Sequence, residues 1–146
     1  MLVNEYRPGQ GIMPHEDGGA YYPLVATVSL GAEIVFDLYQ KEGCRHGDDD
    51  DKAGDEGRRP RYRILQERRS LLVTTGRLYT DFLHGIANVT RDEGLSPESI
   101  CNWDLLREKA RFERGWLDRQ TRISLTYRDV LKVAKVGNTL KFLNGR

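Results

Sequence analysis

The chain has 146 residues, enough for one hydrophobic core but not for two full domains. Its 23 basic and 22 acidic residues leave a formal charge of +1, so no global field draws it towards nucleic acid, and any such binding must come from a local patch. No apolar run approaches the roughly 18 residues of a membrane helix, no signal-peptide pattern follows Met1, and Cys44 and Cys101 are too few for a disulfide framework and lack metal-type spacing. A reduced setting in the cytoplasm and nucleus is the expectation.

In chain order, strands are predicted at 2–6, 23–30, 33–39, 62–65, 71–75 and 122–127. These stretches are rich in aliphatic, aromatic and Thr residues and are mostly separated by Gly or Pro. Ile34, Phe36 and Leu38 alternate with Val35, Asp37 and Tyr39, the period of a strand. Between them, residues 41–60 turn to Gly and charge, including the run Asp48 to Asp51, and read as a solvated loop insertion. His46 lies inside that loop and is a poor ligand candidate, because a flexible polar loop cannot hold a metal site rigid. A second insertion, 88–120, carries a predicted helical stretch. Ser99 or Asn102 would cap it, Leu105, Leu106 and Phe112 give partial helical spacing, and Trp103 and Trp116 would pack it against the body. Short strands without regular strand-helix alternation favour a sandwich or jelly roll over a parallel sheet.

The chemistry-bearing residues begin with His15-Glu16-Asp17. An extended segment alternates its side chains, so His15 and Asp17 are expected on one side. A second histidine from another strand, His84, would complete two imidazoles and one carboxylate on one face of an octahedron, the ligand set of non-haem Fe(II) oxygenases. Gly18 and Gly19 directly after Asp17 would equally suit a surface turn. Arg122 and Arg128 lie six residues apart, on one face of a strand.

Taken together, Asn4-x-Tyr6-x-Pro8-Gly9, His15-x-Asp17, His84 and Arg122-Ile-Ser-Leu-Thr-Tyr-Arg128 resemble the AlkB family of Fe(II)/2-oxoglutarate-dependent dioxygenases. Pro8 to Gly18, Tyr21-Tyr22-Pro23 and Leu83-His84-Gly85-Ile86 look most like the AlkB homologue 6 subgroup. The resemblance covers residues 2 to 44, 70 to 86, and 122 to the C-terminus. It implies an all-β core, the double-stranded β-helix or jelly roll, with a short helical insertion, as one dioxygenase domain over residues 1–146. It further implies Fe(II) on His15, Asp17 and His84, and 2-oxoglutarate bound through Arg122, Arg128, Asn4 and Tyr6. Ser124 replaces the Asn found in some family members, so its contact with the co-substrate carries less weight. The activity implied consumes 2-oxoglutarate and O2, and on an N-methylated base releases succinate, CO2 and formaldehyde.

The substrate is less sharply drawn. Tyr21 and Tyr22 could stack a base at the mouth of the site or pack the rim. Arg58-Arg59-Pro60-Arg61-Tyr62-Arg63, with Arg68 and Arg69, could track phosphates of methylated DNA or RNA, or balance the acidic run just before it. The motif that lies mid-chain in AlkB relatives begins here at Asn4. The resemblance therefore implies a shortened framework, without the family's N-terminal recognition lid, that exposes a sheet edge and binds metal and co-substrate poorly. A catalytically silent module that binds iron and 2-oxoglutarate is the alternative, and a cupin-like protein holding another divalent metal is a third class.

Overall fold

The computed structural model describes residues 1–44 and 59–132. Ten strands and one helical turn follow in order: β1 (Leu2–Tyr6), β2 (Ile12–His15), β3 (Tyr21–Gly31), β4 (Ile34–Gln40), β5 (Tyr62–Gln66), β6 (Leu71–Thr75), α1 (Arg77–Thr80), β7 (Phe82–Ile86), β8 (Arg91–Glu93), β9 (Trp116–Asp118) and β10 (Arg122–Val130). One antiparallel sheet runs β1-β10-β3-β6, the other β2-β7-β4-β5, and β8 and β9 form a two-stranded ribbon. Two four-stranded antiparallel sheets facing one another make the jelly roll that the family resemblance implies. The strands at 2–6 and 71–75 coincide with β1 and β6.

Strand alternation decides which side chains enter the space between the sheets. In the first sheet the register pairs Asn4 with Ser124 and Tyr6 with Arg122, so these four share the inner face with Thr126 and Ser29. In the second, His15 pairs with His84, His84 with Leu38, and Leu38 with Tyr62, a row crossing all four strands. The outer face of the first sheet is apolar and open among the described residues: Val3, Leu71, Val73 and Tyr127 are all exposed.

The main hydrophobic cluster lies on the far side of the second sheet. Val35 and Leu65, register partners on its outer face, pack with Leu95, Ile100, Leu106, Phe112 and Leu117, and Trp103 leans on the group. Phe112 is completely enclosed, and full burial of a side chain of this size is worth about 1.5–3 kcal/mol. The segment 88–120 therefore supplies most of this core, although the sequence reads as an insertion there. Its predicted helix is reduced to two single 3-10 turns, Trp103–Leu105 and Lys109–Arg111, neither with a side-chain cap. The physical reason is a competing use of Asn102. Its side-chain amide donates to Leu65 O and accepts from Leu65 N, both at 2.9 Å, so it pairs the free edge of β5 as another strand would. Ser99 donates to Gly94 O and accepts from Ser96 N rather than capping a helix. Trp116 is half-buried, with the guanidiniums of Arg91 and Arg114 4.0 and 3.8 Å from its ring.

Candidate metal and co-substrate site

The inner faces enclose a cavity of about 250 Å3 lined by Asn4, Tyr6, His15, Asp17, His84, Arg122, Ser124 and Arg128, together with Tyr79 and several aliphatic residues. One donor atom each from His15, Asp17 and His84 lies within 4.8 Å of the others. That spacing suits a single ion.

His15 reaches this position through an irregularity. Ile12 pairs with Ile86 and His15 with His84, so two residues on β2, Met13 and Pro14, oppose the single Gly85 on β7, and the extra residue lies between Ile12 and His15. In a regular strand, residues three apart such as Ile12 and His15 point to opposite faces, so the bulge is what turns both inward. Pro14, which has no N–H to give a ladder, stands in this bulge. Close approach of the two strands also requires Gly11, where an added Cβ would lie 2.1 Å from Ile86 O. Asp17 follows two residues past the end of β2.

The donor chemistry fits a divalent metal. His15 Nδ1 lies 2.9 Å from Met13 O, and donating there leaves Nε2 as the acceptor that a metal uses. The rings of His15 and His84 are 4.3 Å apart, and Phe36 stacks on His84 at 5.3 Å. Burial, then the neighbouring His15, pushes the His84 imidazole down to about 4, so it is the neutral, ligating form at physiological pH. Asp17 Oδ1 is 2.6 Å from Arg128 Nη2, an ion pair whose angle falls short of a hydrogen bond. This buried oxygen therefore has no hydrogen-bond donor aligned on it and keeps lone-pair capacity beside the ion pair.

Arg122 sits at the other end of the cavity and is only 2% exposed. It donates from Nη2 to Ser29 Oγ and Gln66 Oε1, both at 2.8 Å, and Ser29 Oγ donates to the same Gln66 oxygen. Its Nε has no partner, and no carboxylate pairs with it among the described residues. Burial lowers its pKa to about 10, which still leaves it charged. An unpaired guanidinium in an enclosed cavity calls for an anion, and its planar fork matches a carboxylate. Tyr6 lies with its ring 5.9 Å from this guanidinium and is raised in pKa by burial. Asn4 donates to Thr126 Oγ1 at 3.4 Å.

Other predicted residues lie elsewhere. Tyr21 and Tyr22 are not part of the cavity wall: the Tyr21 ring is 5.3 Å from the Arg128 guanidinium, and Tyr22 is 52% exposed. The basic run does not act as one patch. Arg63 is tied to Asp37 and to the carbonyls of Glu93 and Gly94, and Arg68 approaches Glu108. His46, Asp48 to Asp51 and Arg58 lie outside the described residues.

Ser29, Gln66 and Tyr79 belong to the site and were not singled out by sequence. Ser29 and Gln66 are fully enclosed beneath Arg122, and the Tyr79 hydroxyl, raised in pKa by burial and by Asp17, faces the cavity without a partner. The available signal was a pair of hydroxyl residues, Thr27 and Ser29, on the inward positions of a mostly apolar strand.

Two enclosed imidazoles, a carboxylate and an unpaired guanidinium in one jelly-roll cavity define a metal-dependent oxygenase that binds an organic acid. Residues 1–128 match the profile of the 2OG-Fe(II) oxygenase superfamily, and the chain belongs to that superfamily. Within it the chain is AlkB-like. It is 37% identical over 135 residues to the zebrafish (Danio rerio) protein named probable RNA/DNA demethylase ALKBH6, covering 92% of this chain and 54% of that protein. It is also 34% identical over 87 residues to the Macaca fascicularis tRNA (carboxymethyluridine(34)-5-O)-methyltransferase ALKBH8, covering 59% of this chain and 11% of that one. An uncharacterized protein of Acanthamoeba polyphaga mimivirus is 25% identical over 133 residues, covering 90% of this chain and 48% of its own length. The chain thus spans about half the length of the zebrafish relative. Fe(II), 2-oxoglutarate and O2 are the cofactor set of the superfamily, and the His15, Asp17 and His84 donors suit it. Among the described residues no helix is long and apolar enough to cross a membrane.

Proposed function

We propose that this protein is an Fe(II)/2-oxoglutarate-dependent dioxygenase that oxidatively demethylates an N-methylated nucleic acid. The observation that carries this reading is the unpaired, buried Arg122 in the same cavity as the His15, Asp17 and His84 donors. His15, Asp17 and His84 would hold the iron. Arg122 would take the distal carboxylate of 2-oxoglutarate, with Ser29 and Gln66 fixing its guanidinium plane. Asn4, Tyr6 and Ser124, on the same inner face, would complete that pocket, and Arg128 would steady Asp17 from the rim beside Tyr21. When bound, Fe(II) and 2-oxoglutarate use O2 to hydroxylate a substrate carbon with loss of succinate and CO2, and a hydroxylated N-methyl group leaves as formaldehyde. The chain's own contribution is a walled site with prepositioned donors. A role in the cytoplasm and nucleus belongs to the same reading.

The name of the zebrafish relative supports a nucleic-acid substrate, and the resemblance of the motifs supports oxidative demethylation. The test is anaerobic titration with Fe(II) and 2-oxoglutarate, followed by succinate and formaldehyde assays with methylated single-stranded DNA and RNA. A metal-to-ligand charge-transfer band lost in His15→Ala and Arg122→Ala, with formaldehyde from a methylated strand, is the expected result. A band without turnover of any strand would instead define a silent binding module.

A further inference from the structure

A further cavity among the described residues, about 480 Å3, opens on the same inner face as the metal donors and belongs to neither ligand set. Its floor is Leu38, Ile64 and Phe82, its aromatic wall is Tyr62 against Phe82, and Arg61 and Arg77 stand at its sides. The ring centroids of Tyr62 and Phe82 are 5.6 Å apart at 46°, and the Arg61 guanidinium is 6.0 Å from the Tyr62 ring. No Asp or Glu lines the cavity among the described residues. Arg77 pairs with Asp81 at 3.0 Å with its own side chain 69% exposed. Such a surface pair is readily exchanged for a phosphate, being worth at most about 1 kcal/mol.

Position links this cavity to the metal site. Leu38 is the register partner of both His84 and Tyr62. Strands lie about 4.8 Å apart, so the Tyr62 backbone is roughly 10 Å from that of His84. Phe82, two residues along β7 from His84, is closer, at roughly 7 Å. The single turn α1 divides the two spaces, giving Tyr79 to the metal cavity and Leu78 to this one. The separation exceeds the roughly 3.4 Å rise of stacked bases. It suits a strand whose reacting base has been drawn out of the stack, leaving its neighbour splayed beside it.

We propose that this cavity binds the nucleotide next to the one presented to the metal, stacking its base on Tyr62 and placing its phosphate between Arg61 and Arg77. The proposal rests on the nucleic-acid reading above. Aromatic faces accept any base, and guanidiniums accept any backbone phosphate, so the site is sequence-tolerant and takes single strands of DNA or RNA.

The test is fluorescence anisotropy with short labelled single-stranded DNA and RNA oligonucleotides that carry no methyl group. Tyr62→Ala is expected to weaken binding about 5- to 150-fold, the loss of one stacked base, whereas Tyr62→Phe binds as the parent does. Replacing Arg61 and Arg77 together by Gln is expected to reduce the slope of log affinity against log salt by about 0.7, one single-strand phosphate contact. Tyr62 is 41% exposed, and an unchanged melting transition in each variant confirms the fold. If the parent binds oligonucleotides and both sets of variants bind them equally well, the cavity is not a nucleotide subsite and the demethylase reading survives. If the parent binds no strand of either kind, the nucleic-acid reading falls and this inference with it. A preference for RNA over DNA or the reverse leaves the subsite intact and names its source.

Discussion

His15 stands directly across from His84 because β2 carries one residue more than β7 between that pair and the pair Ile12 and Ile86. The iron-binding geometry therefore depends on a counting feature of the backbone as much as on the ligands. Deleting Met13, which is 77% exposed, together with Pro14 leaves Ile12 and His15 adjacent, on opposite faces of the strand, and turns either His15 or Ile12 away from the cavity. The deletion is expected to abolish the Fe(II)/2-oxoglutarate charge-transfer band, while Met13→Ala keeps it. A deletion variant that melts normally and still forms the chelate would show that the bulge does not set the ligand position.

Arg122 makes the opposite trade, carrying an unpaired charge into the interior to meet a ligand. Arg122→Met removes the charge and leaves Ser29 donating to Gln66, so the ligand-free protein is expected to unfold at the same or a higher denaturant midpoint. Its affinity for 2-oxoglutarate is expected to fall at least about 30-fold, the lower end of the loss when one member of a buried charged pair is truncated. Calorimetric titration and urea unfolding measure the two effects separately. A large loss of stability with 2-oxoglutarate binding intact would make Arg122 a structural residue.

The parts of this design that the sequence displays are those with short-range spacing. β1, β6 and the start of β10 follow from runs of apolar and Thr residues, and His15, Asp17, His84, Arg122 and Arg128 from their motifs. β2 and β7 escape such reading because Pro14 and Gly85 interrupt them, and both interruptions exist for the tight crossing of the two strands: an added Cβ at Gly85 would come within 3.1 Å of Ile12 O. Ser29 and Gln66 are polar residues whose partner, Arg122, is 93 and 56 positions away. The core segment shows no period at Leu95, Ile100, Leu106, Phe112 and Leu117 because it is an irregular cover for a sheet. The helix expected there fails since Asn102 serves the β5 edge and Leu105 is 81% exposed.

The lowered His84 pKa gives the metal-free protein a defined acid sensitivity. The folded imidazole titrates at about 4, below its ordinary value of 6.5, chiefly because it is buried. Above pH 6.5 both folded and unfolded forms are neutral and the stability is fully present. As the pH falls from 6.5 towards 4 the unfolded chain takes a proton that the native site refuses, and stability is lost by at most about 1.4 kcal/mol per pH unit from this group. Urea midpoints of the metal-free protein are expected to decline over that window, and His84→Asn is expected to flatten the decline. Parallel pH profiles for parent and variant would locate the acid sensitivity elsewhere.

Arg119 joins the β8 and β9 ribbon to the metal-bearing strands. It is 3% exposed, pairs with both oxygens of the equally enclosed Asp92 at 2.7 and 2.9 Å, and donates to Ala87 O at 2.6 Å and Gln10 O at 3.4 Å. Those two carbonyls follow β7 and precede β2, so one guanidinium fixes the approach of the strands that bring His84 and His15 together. Arg119→Ala strands the Asp92 carboxylate inside the protein and is expected to cost about 3–5 kcal/mol. Combining Arg119→Met with Asp92→Leu removes both charges and is expected to recover most of that stability. It does not replace the donors to Ala87 O and Gln10 O, so its iron affinity, read from the chelate band, is expected to stay below that of the parent. A double variant restored in both properties would reduce Arg119 to a packing element, and an Arg119→Ala protein with the parent's urea midpoint would remove the ion pair from the account of stability altogether.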